Sequence, residues 1–402
     1  MLDIMSRSSP EVTISTDVMM WLCGSSGYSA AEISKKTGIR ERIVQSWCEG
    51  TGKPALPLAK VEMLATLFRR PLAAFLLSRP LDEPHLPKDF RRHPDSAPAF
   101  SNDLLLAIRK ARRIQQIHHE LTDNLNMSSR VRLTTRTLSD NPEQAAKEER
   151  QRSGMDISGD SEAMTPVRAF DQWREWLESL NISVLKLKMP AGDARGFSLT
   201  DGEPFVIVVN SADAERARLF TLFHEYAHLL LDIPVVCNQG EDDLDDYKEI
   251  ERWCNHFAGA FLAPDDEIER NPAIQSSLKS GNFMRAAASV QKHFLISKEA
   301  GLMRLLTLDL ITPSQFRRGR DQLREEFAAR EAKKKERKEA GEEDEGGFGI
   351  FLDRKCVAEK GAGYVSLVME NVRKGHITSS DAIDYLDVKL RHLEKFQESM
   401  GA

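Results

Sequence analysis

The stretch FTLFHEYAHLLLD, residues 220–232, constrains the fold of this chain more than any other feature. It carries His224 and His228 four residues apart, with Glu225 beside the first and apolar residues at helical spacing around them. Residues four apart lie one above the other on an α-helix, so both imidazoles can be directed at one point. Burying such polar side chains without partners would be costly, and the pattern therefore favours a buried helix that binds a metal ion.

The sequence around this stretch decides between a metal centre and an ordinary buried helix, because a five-residue H-E-x-x-H match also arises by chance. Two β-branched runs, NISVLKLKM and PFVIVVN, precede it and predict strands against which the helix can pack. A second helix, YKEIERWCNHFAGAFLAP, begins about 20 residues downstream and offers several carboxylates. This context favours the metal centre.

Zinc held by two histidines needs at least one more protein ligand and leaves a position open for water. Glu251 is the candidate, because it shares one face of its helix with a set of mostly apolar residues: Cys254, Phe257, Ala258 and Phe261. Glu249 is expected to face solvent, and Asp232 lies one turn too far along the first helix. Glu225 projects beside the metal and can accept a proton from water. His256 is either a satisfied polar residue or a helper for the oxyanion.

The two motifs together resemble the ImmA/IrrE family of zinc metallopeptidases, which show HExxH followed by E-x-x-[AC]-N-x-F-A-x-x-[FL]-L-x-P. The second motif is filled here by Glu251, Cys254, Asn255, Phe257, Ala258, Phe261, Leu262 and Pro264. GFSLTDGEPFVIVVN is similar to the strands before the family's motif helix, and the resemblance covers residues 165–316. It implies one Zn²⁺ bound by His224, His228 and Glu251, with Mn²⁺ as a substitute in vitro, and Glu225 as catalytic acid/base. Tyr226 departs from the smaller residues common at its position without changing the ligands.

The N-terminal stretch SAAEISKKTGIRERIVQSWCEGTGKPALPLAKVEMLATLF resembles the helix-turn-helix of the Xre/Cro-like group. Its apolar positions would be Ala31, Ile33, Ile39, Ile43 and Trp47, and its outward DNA-contacting side chains Arg40, Arg42, Gln45, Ser46 and Lys53. Residues 1–80 carry ten Lys/Arg against seven Asp/Glu, a modest local excess of positive charge. The alternative is a helical bundle that mediates protein contact, including contact with a second copy in a homodimer.

A chain of 402 residues is long enough for two or three domains at roughly 100–200 residues each. We predict a mainly α protein with a small α+β zincin-like peptidase domain, an N-terminal helix-turn-helix bundle and a C-terminal helical module. The predicted divisions are 1–80 (helix-turn-helix), 81–164 (proline-rich linker and helical connector), 165–316 (peptidase), 317–347 (charged helix and spacer) and 348–402 (helical module). Within the connector, helices are expected at 101–126 and 135–152.

Composition narrows the setting in which the protein acts. No apolar run approaches the about 20 residues that cross a bilayer, and the start lacks a secretory signal, so we expect a cytoplasmic protein with no membrane partner. The five cysteines are odd in number and lack CxxC spacing, which argues against a disulfide framework and predicts reduced thiols.

The leading hypothesis is a zinc-dependent endopeptidase with an attached DNA-binding domain. The family resemblance implies a protein substrate, a helix-turn-helix repressor or antitoxin-like regulator, cut in a stress or phage-related response. The alternatives are a helix-turn-helix transcription regulator whose zinc domain serves as a sensor without turnover, and an antitoxin or toxin component that acts through protein contact. The intact HExxH glutamate argues against a purely structural site, which normally has four protein ligands.

Overall fold

The computed structural model describes residues 10–82, 101–127, 130–157, 159, 163–190, 192–232, 236–237, 245–339, 352–393 and 396. They form two compact units, one built from residues 10–82 and 101–110 and the other from residue 111 onward. Helices predominate in both, so the predicted mainly α class with a small α+β part is confirmed. The proline-rich part of the linker, residues 83–100, and the spacer from residue 340 lie outside the described residues.

The first unit is a bundle of short helices with one small antiparallel sheet of two strands. Its elements are β1 (Glu11–Thr13), α1 (Thr16–Gly24), α2 (Ala30–Thr37), α3 (Glu41–Cys48), β2 (Ala55–Pro57), α4 (Leu58–Phe68) and a 3-10 turn at Leu72–Leu76. Ser29 and Glu32 form a capping box at the start of α2. Gly38, with φ of 70°, ends α2 in the left-handed conformation and lets the chain turn into α3. The antiparallel pairing of β1 with β2 was not predicted.

Two of the apolar positions predicted for the core of the first unit were wrong. Ile33, Ile39 and Trp47 are buried as expected. Ile43, however, is 39% exposed, and Ala31 is also exposed. Val44 fills the core position instead, because it lies three residues before Trp47 and therefore on the same face of α3, whereas Ile43 is turned about 100° away.

Helix α5 (Asn102–Asn124) begins in the first unit and ends in the second, where α6 (Pro142–Ser153) and α7 (Pro166–Ser179) follow. The predicted start of α6, at residue 135, was wrong by seven residues. Asn141 caps the helix by accepting hydrogen bonds from the backbone N–H groups of Glu143 and Gln144, and Pro142 occupies the first helical position, where proline is favoured.

The second unit contains a four-stranded mixed sheet of β3 (Ile182–Leu187), β4 (Gly196–Leu199), β5 (Phe205–Asn210) and β6 (Val236–Cys237) in the order β3-β5-β4-β6. The pair β3 and β5 is parallel, and β4 is antiparallel to both β5 and β6. The β-branched pattern predicted β3 and β5. It missed β4, which begins with a glycine, has no β-branched residue and lies in the stretch similar to the family's strands.

Helix α8 (Glu215–Leu230) packs on this sheet through β4 and β5, and it also contacts α7 and α9 (Asp245–Leu262). Aromatic rings fill the space between α7, α8 and α9, with the Trp173, Phe223 and Phe261 rings in mutual contact. The chain continues through α10 (Asp265–Arg270), α11 (Pro272–Lys279), α12 (Phe283–Phe294), α13 (Lys298–Thr307) and the long charged α14 (Pro313–Glu339). No helix in the described part of the chain is long and apolar enough to span a membrane.

Of the C-terminal helices, α15 (Leu352–Lys360) packs against β3, α16 (Ala362–Arg373) packs against α7 and α15, and α17 (Ser379–Leu386) packs against α16. Buried Arg174 of α7 holds this contact together. Its guanidinium donates to the Val184 carbonyl of β3 and to the last carbonyls of α15, those of Val357, Ala358 and Glu359. A single cation thereby donates to carbonyls in the last turn of α15, the part of a helix where carbonyls commonly need partners from outside it.

Replacing Arg174 with alanine is expected to lower the free energy of unfolding by about 3 kcal/mol, because buried carbonyls of β3 and α15 lose their donors. Urea unfolding followed by tryptophan fluorescence measures the change. Arg270→Ala is the control, since that side chain is 75% exposed in an ion pair with Asp266 and should cost less than about 0.5 kcal/mol. Equal effects of the two substitutions would contradict the assigned role.

Candidate metal centre

The centre is built where α8 passes over the sheet and α9 packs beside it. His224, Glu225 and His228 all lie on α8 and are buried, His228 and Glu225 completely. The apolar flanks of the helix turn toward the core, for example Leu222, Phe223 and Leu230, which fixes the direction of the polar residues between them. Helix α9 brings Glu251 against the two histidines.

Three predicted ligands converge on one point. The Nε2 atoms of His224 and His228 are 3.2 Å apart. The carboxylate of Glu251 spans both rings, with Oε2 3.2 Å from His224 Nε2 and Oε1 3.2 Å from His228 Nε2. Within the described residues, these three side chains are the group of His, Cys, Asp or Glu whose ligand atoms lie close enough together to hold a metal ion.

The donor set and its spacing fit zinc. Two imidazole nitrogens and a carboxylate are a common ligand set for a catalytic zinc ion, which keeps a fourth position open. Ligands about 2.1 Å from a tetrahedral zinc ion lie about 3.4 Å from one another. The observed separations of 3.2 Å between the three side chains agree with that value.

The electrostatics of the centre are dominated by burial and by the opposed charges of its members. Burial acts to lower the pKa of His224, but the charge and hydrogen bond of Glu251 outweigh it and raise that pKa. Burial prevails at His228 and lowers its pKa. Burial acts to raise the pKa of Glu251, but the two histidines lower it well below its usual value. Glu251 is therefore held as a carboxylate, the form in which it binds a cation.

Glu225 lies against the sheet beside the histidines, and the approach is close enough to demand glycine at residue 196. A Cβ at Gly196 of β4 would lie 2.8 Å from Glu225 Oε1 and 2.7 Å from the Thr221 methyl group. Any larger residue would push α8 away from β4. Sequence reasoning missed Gly196, although an isolated glycine inside a strand indicates a close approach.

Asn255 is a second residue whose position at the centre was not assigned from sequence. It follows Glu251 by four residues and therefore shares its face of α9, and its side chain contributes, after Glu251 and Glu225, to raising the pKa of His224. The quoted second motif contains Asn255, so the helical spacing alone was a sufficient signal to find it.

Tyr226 points away from the centre into a network that anchors α8 to α6. Its hydroxyl donates to Glu149 Oε2 at 2.7 Å and accepts from Arg152 Nη2 at 2.8 Å. Tyr226 lies two residues from each histidine, about 200° around the helix, which explains why the larger side chain leaves the ligands unchanged. Its partners are more than 70 residues distant in the chain, and no local pattern predicts them.

Three other residues considered from the sequence, His256, Glu249 and Asp232, do not belong to the ligand group. His256 Nε2 lies 2.9 Å from Glu143 Oε2, and Arg304 binds the same carboxylate, so His256 is a satisfied polar residue outside the centre. Burial acts to raise the pKa of Glu143, but His256 and Arg304 lower it to about 2. Glu249 is exposed as predicted, and Asp232 lies beyond the end of α8.

In the first unit, the side chains predicted to contact DNA lie on or beside α3. Arg40, Arg42, Gln45 and Lys53 are exposed, and Ser46 is half-buried. Gln45 donates to Glu49 at 2.6 Å, and the Ser46 hydroxyl donates to the Ile43 carbonyl at 2.8 Å. Among the five, these two already have protein partners, and the arginines and Lys53 carry the positive charge of this surface.

Comparison with protein families gives a match to part of the chain. Residues 177–306 fit a peptidase family described as the IrrE N-terminal-like domain. The matched segment runs from the end of α7 to α13 and contains the sheet, α8 and α9. This supports a zincin-like metallopeptidase domain in the second unit. A comparison with curated proteins gives no match.

Purified protein is expected to contain about one zinc ion per chain by inductively coupled plasma mass spectrometry. His224→Ala should weaken zinc affinity by more than about 100-fold, because it removes a ligand, and even changes behind the ligands cost roughly 10–100-fold. His256→Ala is the matched control, a histidine on α9 bonded to Glu143, and should retain the metal. Zinc retention by a His224/His228 double alanine variant would contradict the assignment.

Proposed function

We propose that the protein is a zinc-dependent endopeptidase with an attached DNA-binding unit, and that its substrate is a regulatory protein. The observation that carries the proposal is the convergence of His224, His228 and Glu251 with a second, buried carboxylate, Glu225, directly beside them. The family match of residues 177–306 supports peptidase chemistry for the same segment.

His224, His228 and Glu251 would hold the zinc ion through the Nε2 atoms and the carboxylate oxygens that face one another. When bound, zinc would supply Lewis acidity toward the scissile carbonyl and would lower the pKa of water at its open position. The proposed role of Asn255 is to orient His224, whose pKa it helps to raise.

Glu225 is the proposed proton carrier. Its carboxylate would accept a proton from the attacking water and deliver it to the nitrogen of the leaving amine, as a general base and then a general acid. Contact with β4 at Gly196 limits the movement of this side chain and favours a fixed path for the proton. The low exposure of Glu225 also keeps bulk water away from the carboxylate.

The rival proposal is a transcription regulator in which zinc serves a structural or sensing role. A structural zinc site usually has four protein ligands, whereas three converge within the described residues. A carboxylate is costly to bury, and a purely structural zinc site has no need of a proton acceptor beside its ligands. Both points favour turnover.

The attached unit supports a regulatory substrate. The capped α2, the left-handed Gly38 turn and the exposed arginines of α3 are typical of a helix-turn-helix that binds DNA. A peptidase joined to such a unit would act where transcription is controlled. The proposed substrate is accordingly a helix-turn-helix repressor or antitoxin-like protein, cut in response to stress or phage.

Cleavage is tested by incubating the zinc-loaded protein with the helix-turn-helix regulator encoded beside its gene and following fragments by mass spectrometry. Wild type should cut. Glu225→Gln should retain zinc but cut about 10²–10⁴-fold more slowly, because it lacks the proton acceptor. Glu249→Gln, an exposed change on α9, is the control and should cut at the wild-type rate. Binding of the regulator by zinc-loaded wild type without any cut would favour the rival proposal.

DNA binding is tested with a generic duplex over a range of salt concentrations. Replacing Arg40 and Arg42 together by alanine should weaken binding about 10-fold or more and reduce the slope of log K against log salt by roughly 2. Arg373→Ala, an exposed arginine of α16 paired with Glu370, is the control. An unchanged salt slope in the double variant would exclude α3 as the DNA contact.

A further inference from the structure

One stretch of the chain, residues 136–152, forms hydrogen bonds with both helices that carry the predicted zinc ligands. This stretch, which we call the bracing segment, comprises the residues before α6 and most of α6 itself. It precedes residues 177–306, the part of the chain that matches the peptidase family. The ligand group of His224, His228 and Glu251 contains none of its residues.

The bracing segment holds α8 at its middle and at its end. The Tyr226 hydroxyl donates to Glu149 Oε2 at 2.7 Å and accepts from Arg152 Nη2 at 2.8 Å. The backbone N–H of Arg136 donates to the carbonyl of Leu230, the last residue of α8, at 2.7 Å. Tyr226 lies between the two histidines in the sequence, so its hydrogen bonds act on the turn of α8 that carries the ligands.

The same segment holds α9. The Trp253 indole Nε1–H donates to the Asp140 carbonyl at 2.8 Å. The Arg150 guanidinium donates from Nη1 to the Phe261 carbonyl, in the last turn of α9, at 2.9 Å. His256 also bonds to the segment, but it is partly exposed, and α9 keeps the Trp253 and Phe261 contacts when that histidine is replaced.

These hydrogen bonds give the contact between the helices a direction that its apolar part lacks. Aromatic rings fill the space between α8 and α9, and the Phe223 ring stacks on that of Phe261 with the centroids 4.0 Å apart. The hydrophobic effect that favours such packing is non-directional, whereas a hydrogen bond requires a distance and an angle within narrow limits. The polar contacts can therefore fix the rotation and the spacing of α8 and α9.

The contact at Tyr226 is also costly to rearrange. Tyr226 is completely buried, and Glu149 is 1% exposed. Arg152 pairs with Glu149 Oε2, and Arg136 Nη2 lies 3.9 Å from Glu149 Oε1. Moving the carboxylate away from these partners would leave a buried charge unpaired, which is strongly destabilising. The network around Glu149 thus resists rotation of α8.

We propose that the bracing segment sets the distance and orientation of the α8 histidines relative to Glu251 of α9, and that Tyr226 and Trp253 are positioning residues for the metal centre. Each acts through its own helix, since Tyr226 lies two residues from both histidines and Trp253 lies two residues from Glu251. The ligand atoms are 3.2 Å apart, and zinc–ligand distances must lie within about 0.2 Å of their usual values, so small displacements matter. The inference rests on the proposed function only in requiring its metal centre.

The test measures metal binding by the full-length protein, stripped of metal with a chelator and reloaded with Zn²⁺ or Co²⁺. Tyr226→Phe removes only the hydroxyl that bonds to Glu149, and Trp253→Phe removes the donor to Asp140 but keeps an aromatic ring. Each variant should bind zinc about 10-fold more weakly, at the lower end of the range for partners bonded directly to ligands. The visible absorption of bound Co²⁺, which reports ligand geometry, should shift in both.

Asn371→Ala is the matched control. The Asn371 side chain is completely buried, and its amide donates to the Leu121 carbonyl of α5 and the Leu367 carbonyl of α16. Neither helix carries a predicted ligand. This variant should lose thermal stability but bind zinc with wild-type affinity and give the wild-type Co²⁺ spectrum. An equal loss of metal affinity in Asn371→Ala would show that general destabilisation causes the effect and would overturn the proposal.

The remaining outcomes separate this inference from the proposed function. Wild-type protein that binds neither Zn²⁺ nor Co²⁺ would contradict the metal centre, and both would fail. Wild-type metal binding with unchanged affinity and an unchanged Co²⁺ spectrum in a folded Tyr226→Phe or Trp253→Phe variant would overturn the inference alone. Circular dichroism checks folding, and because the two changes lie on different helices, either folded variant decides the outcome.

Discussion

The removal of two imidazoles and two carboxylates from water is the constraint on which the second unit depends. His224, His228 and Glu225 are buried, and only 19% of the Glu251 side chain is exposed. The burial of the ligands is tolerated because Glu251 pairs with both histidines across 3.2 Å and because a cation can replace that pairing. The burial of these polar side chains therefore has two consequences: it costs free energy of folding, and it creates the cation-binding group on which the proposed chemistry depends.

The support for this centre extends well beyond the segment that matches the peptidase family. The matched residues 177–306 contain the ligands. Helix α6 precedes this segment in the chain, and its Glu149 and Arg152 form hydrogen bonds with Tyr226 of α8. In helix α7, Trp173 contacts the Phe223 ring of α8, and Arg174 donates a hydrogen bond to the Ala358 carbonyl of α15. A buried hydrogen-bonded network of this kind fixes side-chain directions as well as stability. The second unit therefore behaves as one packed body around the centre.

The first unit has a core of its own. Its apolar cluster draws on several of the short helices and includes Val18 of α1, Ile33 of α2 and Val44 of α3. Arg40 and Arg42 are exposed at the start of α3. The packing of α3 into this core therefore fixes the position of the side chains for which DNA binding is proposed.

The sequence by itself determined the features that depend on local periodicity: α8 with its two histidines, the face of α9 that carries Glu251, the strands β3 and β5, and the mainly α class. Each follows from spacing of 3.6 or 2 residues along one segment. Only the tertiary structure decided what depends on contact between distant segments. Gly196 lies against Glu225, and Tyr226 bonds to Glu149, although the members of each pair are separated along the chain. Local pattern cannot identify such pairs, because packing of whole helices and strands, and not the sequence next to each residue, selects its neighbours.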